Sequence, residues 1–238
     1  MNDSLPPIHD AVRLWDKSDT ATLRSCIAFR KRKRPGWTLA FLREKAPYIF
    51  NGELKEHALR QAVEQYVPSE SQKSVLHGLD LLLRFIKKHD WHSRKAIPTC
   101  DLVYEGLRTQ LRPVGVYESK LLNKKFVIAL QPRLEDVPTN EQFRIWLSAI
   151  QHRYCNNVSD NREPMIVDLA KNLVSGKREL REITKEKIEL LDQIEFDGRL
   201  TLVARNYKKA IEINTKFFGA DGAQLVKVYS NLGVVYQD

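Results

Sequence analysis

The chain is poor in sulfur: three cysteines and two methionines stand among 238 residues. Cys26, Cys100 and Cys155 are odd in number and widely spaced, which excludes a dense disulfide framework and suits reduced thiols. His89–His92 and His152–Cys155 have metal-like spacings, but no further pair completes a four-ligand zinc set. No apolar run approaches the roughly 20 residues of a membrane span, so no membrane partner is expected. The opening MNDSLPPIHD has neither a basic start nor an apolar stretch, which argues against a secretory signal and predicts a cytoplasmic protein. A Walker loop is also missing. In Ser175-Gly176-Lys177-Arg178 the upstream glycine position holds Lys171, and Arg178 replaces the final Ser or Thr. Backbone donors at a helix start there, beside Lys177 and Arg178, still suit an anion.

Positive charge is what the chain has in surplus. Its 39 Lys and Arg against 30 Asp and Glu leave a formal charge of +9, which favours a polyanionic partner. With 42% hydrophobic and 29% charged residues, the composition is that of a folded protein with a real core. The densest basic run is Arg30-Lys31-Arg32-Lys33-Arg34, closed by Pro35-Gly36 and followed by Trp37. Phosphates would be gripped by the run, with Trp37 free to stack on a base. The alternatives are a solvated helix end, with Trp37 opening the next core helix, or a nuclear-import signal.

Periodicity predicts helices over Leu39 to Phe50, Leu54 to Tyr66 and a strong one through Val75, Leu79, Leu82 and Ile86. Asp101 to Leu107 reads as a first strand and Val114 to Ser119 as a second extended run. Phe126 to Gln131 is a buried strand. A helix opens at Pro138-Thr139-Asn140-Glu141, with Phe143, Trp146, Leu147 and Ile150 on its apolar side. Met165 to Leu169 is another buried strand. From Glu179 onward helix is expected, with Leu180, Ile183, Ile188, Leu191 and Ile194 as its stripe and a break at Asp197-Gly198. The expected fold is α+β: a helical region over residues 1–70, a small mixed-sheet core over 71–172, and a helical region over 173–238.

Helix, three strands, helix, strand from residue 72 onward resembles the αβββαβ core of the PD-(D/E)XK nucleases, in particular the RecB-like branch. That family carries a carboxylate on its second strand, acid-x-Lys on the third, and Gln-x-x-x-Tyr on the next helix. Glu118, Gln131-Pro132-Arg133 and Gln142-Phe143-Arg144-Ile145-Trp146 stand at those positions. The resemblance implies Glu118 and Gln131 as ligands of Mg²⁺, with Arg133 and Gln142 completing the catalytic set. Gln131 brings a neutral oxygen where a carboxylate would strengthen the metal. Arg133 stays charged and grips phosphate without serving as a base. The leading expectation is therefore nucleic-acid binding on a nuclease-like scaffold, with a metal-dependent nuclease as an alternative.

A second resemblance lies at the end of the sequence. Tyr207 to Glu212, Phe218-Gly219-Ala220-Asp221 and Asn231-Leu232-Gly233-Val234-Val235-Tyr236 resemble the repeat join of a tetratricopeptide array of the kinesin-light-chain type. It implies a helical hairpin over 206–238 that binds a protein partner or a second copy of the chain.

Overall fold

A computed structural model describes residues 8–15, 37–95, 97–131, 138–156, 161–169 and 179–218. Within them the fold is α+β, built on a five-stranded mixed sheet. The chain opens with α1 (Ile8–Ala11) and a 3₁₀ turn at Val12–Leu14, then runs through α2 (Trp37–Phe50), α3 (Glu56–Tyr66) and α4 (Ser69–His89). Helix α4 buries Val75, Leu79, Leu82 and Phe85 along one face. It stops where Asp90 turns left-handed (φ 47°) and caps Ile86, after Lys87 and Lys88, cations suited to a helix C-terminus.

The strands are β1 (Trp91–Lys95), β2 (Cys100–Tyr104), β3 (Leu107–Leu111), β4 (Gly115–Ser119), β5 (Lys124–Gln131), β6 (Arg162–Asp168) and β7 (Arg181–Thr184). Between β5 and β6 lie α5 (Asn140–Ile150) and a π turn, Gln151–Cys155; the last element is α6 (Gln193–Phe218). Sheet order is β1-β4-β5-β6-β7, and only the β5–β6 pair is parallel. Strands β2 and β3 form a separate hairpin, closed by Glu105 and Gly106, both at positive φ, as a two-residue hairpin turn demands.

Apolar side chains on the two sheet faces define two cores. One face, with Val116, Val127, Ala129 and Ile166, packs against α1, the β2–β3 hairpin, α5 and α6. The other, with Tyr117, Phe126, Ile128, Leu130, Met165 and Val167, packs against α2, α3 and α4. β5 is central and covered on both sides, which is why FVIAL is apolar without alternation. It ends at Gln131, one residue before a proline that has no N–H for the ladder. Gly115 permits this packing in a specific way: a Cβ there would lie 2.8 Å from the Tyr117 ring.

Three expectations are corrected by the topology. Asp101 to Leu107 is not the first sheet strand; it falls in the hairpin, and the strand beside β4 is Trp91–Lys95. Leu180 to Asp192 is not a helix, and helix begins only at Gln193. Residues Arg181–Thr184 pair with β6, a long-range partner that local spacing does not reveal, and Ile194 is 86% exposed. Asp197-Gly198 does not break α6, because Phe196, Leu200, Val203, Ala204 and Tyr207 bury one stripe and outweigh the roughly 1 kcal/mol cost of a helical glycine. Among the described residues, no helix is long and apolar enough to cross a membrane.

Candidate functional site

The order α4, β1, β4, β5, α5, β6 reproduces helix, three antiparallel-linked strands, helix and parallel strand, with the β2–β3 hairpin inserted after β1. On this frame Glu118 lies near the end of β4 and Gln131 at the end of β5. The two strands are antiparallel, and Glu118 is registered against Lys125. Six residue steps along β5 then separate Lys125 from Gln131, roughly 20 Å at about 3.3 Å per residue. Glu118 and Gln131, the expected metal pair, therefore sit at opposite ends of the β4–β5 ladder. The cross-strand neighbours of Glu118 are His92 and Lys125, both basic. Among the described residues no group of three or more His, Cys, Asp or Glu could hold a metal ion.

Gln142 is at the third position of α5. Its Oε1 accepts from Thr139 N–H (3.3 Å), while its own N–H donates to Thr139 Oγ1 (3.2 Å), a reciprocal cap that starts the helix. The residue at the motif's tyrosine position, Trp146, is buried in the core. Trp37 begins α2, its side chain outside the described residues; Arg30, Lys31, Arg32, Lys33, Arg34, Arg133, Lys177, Arg178 and the hairpin segment 219–238 lie outside them altogether.

What the sheet does bring together is at the carboxyl ends of its parallel pair. Gln131 is registered beside Asp168 of β6, and both are fully buried. Each follows residues packed on the α5 side, Ala129 and Ile166, so both belong to that face. Arg181 of β7 donates from Nε (2.9 Å) and Nη2 to Asp168 Oδ2, and its guanidinium lies over the Phe143 ring of α5 at 5.7 Å. Asp168 thus has a charged donor, as a buried carboxylate requires. Gln131 has no such partner among the described residues: its Nε2 and Oε1 are both buried without a hydrogen bond. The sequence signal for this site was an acid closing the apolar strand MIVD; Arg181 was hidden by the helical reading of its segment.

A second polar group joins His89, noted in the sequence only for its spacing to His92, to partners the sequence did not suggest. His89, at the end of α4, is buried, with Nδ1 3.0 Å from Ser119 Oγ and Nε2 3.1 Å from Glu182 Oε1. Burial pushes the Glu182 carboxyl up, but hydrogen bonds from His89 and Lys88 outweigh it and hold the group below its ordinary value. A carboxylate only accepts, so Nε2 carries the proton. Ser119 is buried; its Oγ accepts from Leu122 N–H (3.2 Å). With its serine enclosed, this Ser-His-Glu chain offers no accessible nucleophile; it ties α4, the β4–β5 turn and β7 together. Opposite Ser119 in the β4–β5 register, Lys124 bridges Glu163 (3.2 Å) and Glu186 (2.8 Å).

The class defined by fold and site is an α+β protein whose mixed sheet carries an Arg–Asp pair and, among the described residues, an unpaired glutamine where its parallel strands end. No protein-family model and no curated protein matches the chain. Among solved structures it is similar to a candidate exonuclease from Eubacterium rectale, at 9% identity over 89% of this chain and 81% of that one, with a TM-score of 0.44. It is also similar to a protein named SSO0001, at 13% identity over 82% and 85% of the two chains, with a TM-score of 0.33. Scores this low do not carry either name to this chain.

Proposed function

We propose that the chain binds nucleic acid on a nuclease-like αβββαβ core and does not cleave it. The reading is carried by one observation: the core order is present while the register parts Glu118 from Gln131. Hydrolysis of this type needs carboxylates converging on one ion, which then activates a water and neutralises developing charge. That convergence is missing, and Gln131 adds no charge of its own. A surplus of +9 and the run Arg30 to Arg34 supply what phosphate binding needs, through release of counterions.

Fluorescence anisotropy with labelled single-stranded and duplex oligonucleotides across a salt series tests binding; the same mixtures with Mg²⁺ or Mn²⁺ test cleavage. Binding should weaken steeply with salt and no product should form. Neutralising three residues of Arg30 to Arg34 should flatten the log–log salt slope by about two to three units, at about 0.7–0.9 per contact. Absence of salt-dependent binding would refute the reading, and metal-dependent product would refute its second half.

A further inference from the structure

Two leucines stand in water at one end of the sheet. Leu121 and Leu122 are 57% and 43% exposed, side by side in the β4–β5 turn that runs from Lys120 to Asn123. Turns favour small and polar residues, because an apolar side chain there gains no burial. Nor is the turn loose. Leu121 N–H donates to the carbonyl of His89 (3.4 Å) and Leu122 N–H to Ser119 Oγ (3.2 Å), while Asn123 takes the left-handed conformation. Ser119 is itself held by the buried His89–Glu182 chain, so a buried polar group fixes the tip that carries the exposed leucines. Cations surround this tip. Helix α4 ends beside it with Lys87 and Lys88, both exposed, and the segment after β7 adds Lys185 and Lys187. The nearby carboxylates each bind a lysine: Asp90 holds Lys120 at 2.6 Å, Glu182 holds Lys88 at 3.0 Å, and Glu163 and Glu186 share Lys124. Surface pairs of this kind are weak, which leaves the lysines able to exchange partners.

We propose that the β4–β5 turn docks the protein on an anionic lipid surface: Leu121 and Leu122 enter the boundary between headgroups and acyl chains, and the lysines around them meet the anionic headgroups. A leucine pair offers nothing to a phosphate backbone, so the nucleic-acid reading leaves the tip unexplained and the inference stands apart from it. A second copy would press the same lysines against their own like. A standard protein interface buries about 800 Å² per partner, more than two side chains supply, whereas a bilayer takes a small apolar tip and several cations together. Docking of this kind needs no spanning segment.

The test is co-sedimentation of the full chain with phosphatidylcholine vesicles and with vesicles in which about a third of the lipid is phosphatidylserine. Wild type should bind the second kind and not the first, and less of it as salt rises. Leu121→Ser with Leu122→Ser should weaken that binding by about tenfold or more, with the melting temperature and oligonucleotide affinity unchanged, since both leucines lie on the surface. Leu121→Trp with Leu122→Trp should retain it, because indole rings favour the lipid interface. If wild type ignores both vesicles, the inference falls, whatever the oligonucleotides show. If the serine variant binds phosphatidylserine as well as wild type does, charge alone is at work and the tip has no part in it. If the serine pair instead turns a dimer into a monomer in sedimentation velocity, the tip is a contact between copies and the lipid inference falls likewise.

Discussion

Gln131→Glu introduces an acid where the nuclease motif would carry one, and its effect separates a metal site from a dry core. Gln131 is fully buried and registered beside the fully buried Asp168, on neighbouring strands about 4.8 Å apart. A carboxyl placed there is desolvated and faces a like charge. Each effect raises its pKa, by up to about 3–5 units for full burial. At about 1.36 kcal/mol per unit the upper bound is about 4–7 kcal/mol. Arg181 offsets part of it, so a loss of about 2–4 kcal/mol at pH 8 is expected, or about 5–15 °C in melting temperature. The sign follows from the raised folded pKa. Below the unfolded value, about 4.3, both states are protonated and nothing is lost. The penalty then grows as pH rises towards the folded value and levels off above it. Thermal melts of the variant at pH 5 and pH 8, with and without Mg²⁺, are the assay. A metal site would be rescued by Mg²⁺; with Glu118 roughly 20 Å away the ion should change nothing. A melting temperature that does not fall between pH 5 and 8, or that rises with Mg²⁺, would refute the reasoning.

Gly115→Ala puts a Cβ 2.8 Å from the Tyr117 ring, itself packed 4.8 Å from Phe50, and should cost about 1–3 kcal/mol in a denaturant melt; adding Tyr117→Leu should recover part of the loss. His89→Leu removes two buried hydrogen bonds and should cost about 2–3 kcal/mol, whereas Lys88→Met, which removes only the exposed partner of Glu182, should cost under about 1 kcal/mol; equal losses would contradict the buried link. Hydrogen bonds from Lys124 and Thr184 hold the Glu186 carboxyl at about 2. With the folded pKa depressed, its small contribution is present above the unfolded value of about 4.3 and lost as pH falls from about 5 towards 2. Lys124→Met should shallow that acid limb of a melting-temperature profile.

Elements whose partners are local were legible in the sequence. The stripe of α4, the cap of α5 at Thr139 and the apolar runs of β5 and β6 needed nothing beyond spacing and composition. Elements defined by a distant partner were not. Trp91–Lys95 (WHSRK) has the composition of a polar loop and becomes a strand only by pairing with β4; Arg181–Thr184 becomes one by pairing with β6. Site residues divide in the same way. Gln142 was singled out for chemistry and acts as a cap, because a capping box and a motif glutamine look alike at that position. Arg181 and His89 meet partners 13 and 93 positions away, beyond any local signal.

The separation of Glu118 from Gln131 has a local cause, the placement of one turn. Ser119 pairs with Lys124, so residues 120–123 make the turn, with Asn123 at φ 49°. For Glu118 to stand opposite Gln131, the turn would have to form three residues later, over 123–126. Phe126 would then leave the core, where it is 1% exposed, edge-on to Trp91 at 5.9 Å. The pairing of Tyr117 with Phe126 would be lost as well. Exposing a buried phenylalanine costs about 1.5–3 kcal/mol, and moving the turn would also take Asn123 from the left-handed position it tolerates better than lysine or phenylalanine. Hydrophobic burial and turn chemistry select the same register. Spacing along the chain resembles the nuclease motif, but the β4–β5 hairpin turns three residues too early to set Glu118 opposite Gln131.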